Sequence, residues 1–246
     1  FNDDLTTDIL TIGNLHASRF TQTAANEFVG QWKVVDHVSN TTTGFSGTLF
    51  QALKDDPSQG IRKDDYVLSI RSTEFIDDMV RDSVATNVME IKKFGWAFGQ
   101  IADLNDWYVK LKADGTLPAT AKLDVTGYSL GGHLATAFNL LHQAELNGGQ
   151  VVTFNGAGVG EIKAGSDLQG VMADFDSLRK DSTQIASRIA DSRLKEVYLD
   201  LSQRLNGNQT VMPSDYALLN AVGPTGQETE FELQQFFDDK NWIRTA

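Results

Sequence analysis

The chain has 246 residues, 41% of them hydrophobic, no cysteine and a formal net charge of −12. That length and apolar content suffice for a sizeable core in one domain, 1–246, while no apolar run reaches the 18 residues that a membrane-spanning helix needs. The missing thiols exclude disulfides and thiolate metal sites, and the negative charge argues against nucleic acid as a partner and leaves only apolar contact for any lipid surface.

In chain order, Ala17–Val29 has a helical pattern, and Trp32–Val38 and Phe45–Leu53 read as strands on either side of a turn-prone polar run, 39–44. Asp55-Asp56-Pro57 closes the second strand, and Tyr66–Arg71 is a third. A helical stretch starts at about Glu74. Ala97–Lys112 is an amphipathic helix through Ile101, Leu104, Tyr108 and Leu111, stopped by Gly115 and Pro118. Ala121–Thr126 suits a strand, and Leu130, Leu134, Phe138 and Leu141 then recur at helical spacing. Val151–Phe154 reads as another buried strand. From Glu161 to about Leu205 the pattern is helical again, through Leu168, Met172, Phe175 and Leu178 and later Leu194, Val197, Leu201 and Leu205. Strands alternating with helices predict an α/β fold, with a mostly parallel sheet covered on both faces.

Between the strand at Ala121–Thr126 and the helix from Leu130 stands Gly127-Tyr128-Ser129-Leu130-Gly131. This is the pattern of a nucleophile elbow, the sharp turn that lifts a serine hydroxyl out of an α/β-hydrolase sheet. Such a turn strains the serine backbone and crowds the positions two residues to either side. Gly127 and Gly131 thus have a steric reason to be there, and Gly132 lets the helix start close to the sheet. The competing reading is a glycine-rich loop that happens to hold a serine, and the strand–turn–helix context favours the elbow. A later block, Asn155-Gly156-Ala157-Gly158-Val159-Gly160, lacks the spacing of a dinucleotide or phosphate loop. It is expected to turn tightly at the carboxyl end of the sheet, next to Ser129.

Three blocks in order resemble the class 3 lipases, and within them the secreted bacterial lipases and phospholipases A1 of the type exported with RTX repeats. They are Ser69-Ile70-Arg71-Ser72-Thr73-Glu74, the run from Thr126 to Ala135, and the run from Val152 to Gly160. The resemblance covers roughly residues 45–160. It implies that Ser129 is the nucleophile of an ester hydrolase, that Thr73 and Leu130 supply the backbone N–H groups of the oxyanion hole, that the substrates are glycerolipid esters, and that the protein is secreted. Family members usually carry Gly where this chain has Ser72, which leaves the outer donor open between Ser72 and Thr73.

The base and the acid are harder to find. In α/β-hydrolases the order is Ser, then Asp or Glu, then His. After Ser129 only His133 and His142 remain, both on the helix leaving the elbow, where His133 reads as a packing or hydrogen-bonding residue and His142 as surface-like. His16 and His37 precede the strands that form the site. Among acids, Asp200 lies in a helical pattern, and Asp215 in the turn Met212-Pro213-Ser214-Asp215 reads as a helix cap. The catalytic Asp and His are therefore expected beyond Ala246, in a continuation or a separate C-terminal chain completing the site. The chain starts at Phe1 rather than Met, which suits a processed or excised polypeptide.

Asp77, Asp78, Asp174, Asp176 and Asp181 read as solvated helix faces rather than a metal site. The chemistry needs no cofactor, although structural calcium stays open. The aromatic cluster Phe231, Phe236, Phe237 and Trp242, with Leu233 and Ile243, reads as core rather than a lipid-facing flap. The expectation is an α/β-hydrolase core with residues 161–237 as a helical cap or lid, acting on a lipid or other ester with transient contact to a membrane or micelle surface. The alternatives are a soluble esterase or thioesterase, or a non-catalytic lipid- or partner-binding module of the same fold.

Overall fold

The computed structural model describes residues 5–12, 19–39, 41, 43–72, 91, 96–160, 167–170, 172 and 173. Within them a mixed α/β architecture places an internal sheet among helices. A short helix, α1 (Thr7–Ile12), precedes α2 (Gln22–Gln31). The pattern alone started α2 at Ala17, but Thr21 sets the start, because its side-chain oxygen accepts from the Ala24 N–H and satisfies one of the free amides of the first turn.

The chain then forms β1 (Trp32–Val38), β2 (Gly47–Ala52) and β3 (Tyr66–Ile70), crosses through α3 (Phe98–Ala113) to β4 (Leu123–Tyr128), and continues into α4 (Leu130–His142) and β5 (Val151–Phe154). The strands lie in the sheet in chain order. β1–β2 and β2–β3 pair antiparallel, while β3–β4 and β4–β5 pair parallel. The sheet is thus mixed among the described residues, not mostly parallel as the alternation suggested. The reason is local: the connection after β1 is too short for a parallel crossover, and the longer one after β2 folds back on itself through the antiparallel Asp56–Ile61 bridge and carries no crossover helix.

Across the sheet Leu49 pairs with Leu68, Leu68 with Val125 and Val125 with Val151. This apolar row meets Phe98, Ile101, Leu104, Leu130, Leu134 and Phe138 of α3 and α4 in one core. Each fully buried side chain of this kind stabilises the fold by roughly 1.5–3 kcal/mol. Trp107 of α3 lies over Gly47, where a Cβ would stand 2.8 Å from the indole ring, and its Nε1–H donates to Asp36 of β1 at 2.7 Å. On the opposite face Phe28 of α2 meets Phe50 edge-on, with ring centroids 5.5 Å apart.

β5 corrects one expectation. The apolar run predicts a buried strand, whereas Val152, Thr153 and Phe154 are exposed on the strand at the edge of the described sheet. Of the expected cap, residues 167–170, 172 and 173 are described, with Leu168 and Met172 buried against the core, and the other residues of 161–237 lie outside the described residues.

Candidate functional site

β4 runs two residues past its expected end, to Tyr128, and α4 begins at Leu130, so one residue makes the whole turn. That residue, Ser129, has φ 52° and ψ −114°, a conformation that a β-carbon disfavours and glycine accepts without strain. Neighbouring backbone over-determines it. The Ser129 N–H donates to the Phe154 carbonyl at 3.0 Å, and the Ser129 carbonyl accepts from the N–H groups of Ala157 at 3.0 Å and His133 at 3.1 Å.

The glycines around it do what the sequence demanded. A Cβ on Gly127 would sit 2.1 Å from the Gly131 carbonyl oxygen, and one on Gly131 would sit 2.4 Å from the carbonyl oxygen of Ile70. On Gly132 it would sit 2.7 Å from the Gly156 Cα. The first turn of α4 is therefore wedged backbone to backbone between the ends of β3 and β5. The glycine-rich block after β5 lies against Ser129, as expected from its place in the chain.

Register brings the second block to the same place. Ile70 pairs with Gly127 in the parallel β3–β4 ladder, so the Arg71-Ser72 turn leaves the sheet beside the serine. The Arg71 N–H donates to Ser46 at 3.1 Å and its guanidinium Nη2 to the Gly44 carbonyl at 3.3 Å, which fixes the turn to the start of β2. Thr73 itself lies outside the described residues. Leu130 is buried, and its amide is the first of α4, where intrahelical acceptors are lacking. The Ser129 side chain does not cap that helix, and the serine is half-buried. A helix N-terminus next to an uncapping hydroxyl offers partial positive charge to an oxyanion.

Of the four histidines, three are described, and none meets the Ser129 hydroxyl. His37 stands on β1, three strands from β4, with Nδ1 2.9 Å from the Thr48 hydroxyl. At about 4.8 Å per strand that is roughly 14 Å away. Burial, the amino-terminal charge and Arg71 hold its pKa below the usual value, against Asp36, which raises it. His133 is fully buried on the first turn of α4. Its Nε2 accepts from the Ala97 N–H at 3.1 Å, and its Nδ1 lies 2.9 Å from the Gly158 carbonyl oxygen. An amide can only donate and a carbonyl only accept, so the proton sits on Nδ1 and the ring is neutral. Burial lowers its pKa, and the Gly158 contact only partly opposes this.

His142 corrects the surface-like reading. Its side chain is 13% exposed, with Nδ1 2.8 Å from Glu145 and Nε2 2.8 Å from Asn105 Oδ1, and the ring packs on Tyr108 and Phe138. Burial pushes the Glu145 carboxyl up, but bonds from Lys112 and His142 outweigh it and hold the group below the usual glutamate range. A cleft of about 280 Å³ opens there, lined by Ala102, Asn105, Leu141, His142, Gln169 and Met172. It lies at the far end of the 13-residue α4, roughly 18 Å from Ser129, too far to seat a group reacting at the serine.

His16, Asp200 and Asp215, the acidic residues weighed as a metal site and the aromatic cluster 231–243 lie outside the described residues. Among the described residues no three His, Asp or Glu side chains are placed to hold a metal ion, and no helix is long and apolar enough to cross a membrane. Sequence reasoning missed the contributions of Phe154, Ala157 and Ala97, which act through backbone groups and so leave no residue-type signature. No protein-family model, curated protein or solved structure matches this chain.

Proposed function

We propose that this protein is a serine ester hydrolase of α/β-hydrolase type, with Gly127–Gly131 as its nucleophile elbow. The observation that supports this most is the strained single-residue turn at Ser129, packed where Gly127, Gly131 and Gly132 leave no room for a Cβ. Strain of this kind costs on the order of 1–3 kcal/mol and recurs where a reacting group is presented. Ser129 attacks the ester carbonyl and forms an acyl-enzyme. The Leu130 N–H and a donor from the Ser72-Thr73 turn stabilise the tetrahedral oxyanion, each worth about 10²–10³ in rate. A histidine outside the described residues, backed by an acid, takes the serine proton and returns it to the leaving alcohol. Glycerolipid esters, as in lipases and phospholipases A1, are the substrate class suggested by the three sequence blocks.

A fluorophosphonate tests the reading. The protein is expected to be labelled at Ser129 and to lose the label in Ser129→Ala. Absence of label where a lipase control reacts would favour the second reading, a lipid- or partner-binding module. The observation behind that reading is that no described histidine reaches Ser129. Rates followed through the micelle threshold separate the lipase, which accelerates there, from a soluble esterase, which saturates below it.

A further inference from the structure

His133 closes a ring of hydrogen bonds that runs through Ser129 itself. Its backbone N–H and that of Ala157 both donate to the Ser129 carbonyl, and its Nδ1–H donates to the carbonyl of Gly158, the residue after Ala157. On the other side its Nε2 holds the Ala97 N–H just ahead of α3. The loop after β5 is glycine-rich, with Ala157 half-buried and Gly158 exposed. One buried imidazole thus ties the turn, the loop and the start of α3 together.

We propose that His133 is a positioning residue for Ser129: through Gly158 it clamps the Ala157 N–H onto the serine carbonyl and so fixes the angle at which the hydroxyl leaves the turn. The proposal rests on the reading of Ser129 as nucleophile. Its two bonds can be cut separately, because an asparagine amide nitrogen takes the place of Nδ1 and a glutamine amide oxygen that of Nε2. His133→Asn keeps the donor to Gly158 and gives up Ala97. His133→Gln keeps the acceptor for Ala97 and gives up Gly158.

In the full chain, His133→Gln is expected to slow fluorophosphonate labelling between about tenfold and a hundredfold, the scale of a misplacement of about 1 Å. His133→Asn should stay within about threefold of wild type, a difference that a merely structural role would not produce. Amide hydrogen exchange at Ala157 should accelerate in His133→Gln and hold in His133→Asn. Equal labelling rates in both variants, or unchanged exchange at Ala157 in His133→Gln, would overturn the proposal. Failure of the wild type to label would sink the nucleophile reading alone, and exchange at Ala157 would still decide the clamp. Should His133→Gln not fold, the nitrogen-15 spectrum of wild-type His133 decides: a proton on Nε2 rather than Nδ1 at neutral pH rules the clamp out.

Discussion

At its first turn α4 buries His133 among backbone amides and carbonyls, and nine residues later it ends on His142, which faces a carboxylate, an amide and two aromatic rings near solvent. The first ring is bonded only to groups that cannot change charge, and its own proton is fixed by them. The second belongs to a cluster in which Glu145 and Lys112 are half-accessible and charged, while Tyr108 beneath them is buried. The difference separates two uses of one residue type. The buried end is a geometric element that tolerates no adjustment, and the open end is a screened electrostatic one that water and salt can replace.

Substitutions at the two ends should therefore differ most where backbone meets backbone. Gly131→Ala forces a Cβ against the Ile70 carbonyl and is expected to cost at least about 3 kcal/mol, whereas Leu140→Ala, at a side chain 57% exposed, should stay within about 0.5 kcal/mol. Urea midpoints measure both, and a Gly131→Ala chain of wild-type stability would break the comparison.

His133→Leu should cost roughly 2–4 kcal/mol, since it leaves the Ala97 N–H and Gly158 carbonyl without their partner. The same ring gives a pH signature. Its folded pKa lies below the ordinary 6.5, so the unfolded chain binds more protons as acid is added. Stability is then full above about pH 6.5 and falls as pH drops toward the folded value. His133→Asn should remove this step. Glu145, also depressed, contributes a later loss as pH falls below its ordinary 4.5, and Glu145→Gln should remove part of that. Denaturation followed from pH 8 down to about pH 3 distinguishes the two.

Ser129→Gly is expected to stabilise the fold by about 1 kcal/mol despite glycine's usual cost, because the positive φ is no longer strained, while abolishing the fluorophosphonate label. A loss of stability would mean that the turn is not strained. Glu145→Gln should cost less than about 1 kcal/mol at neutral pH, and less again at high salt.

The five strands and the helices α3 and α4 were legible because each carries its own periodicity, and β5 falls on the residues the pattern named, Val151–Phe154. The turn at Ser129 was legible for a different reason: steric exclusion leaves a residue-type mark, and Gly127, Gly131 and Gly132 carry it. Strand direction was not, since alternation of strands and helices weighs the crossovers and overlooks the short reversals between β1, β2 and β3. Nor were the partners of His133. They lie 36 residues before it and 25 after it and bond through main-chain atoms, which no pattern of side-chain types can announce.

The order of the strands in the sheet, which repeats their order in the chain, also has a kinetic meaning. β1, β2 and β3 zip through near-neighbour pairings such as Val38 with Gly47 and Gln51 with Tyr66, so a three-stranded meander can assemble with little loop entropy to overcome. The step after it is long-range: Tyr66–Ile70 must find Leu123–Gly127 across the whole intervening chain before α4 can dock and Ser129 can be forced into its turn. The strained residue is thus expected to form only after that long-range closure. Pulse-labelled exchange during refolding should find the β1–β2 amides protected well before that of Ser129, leaving the strained turn absent from any early collapsed species.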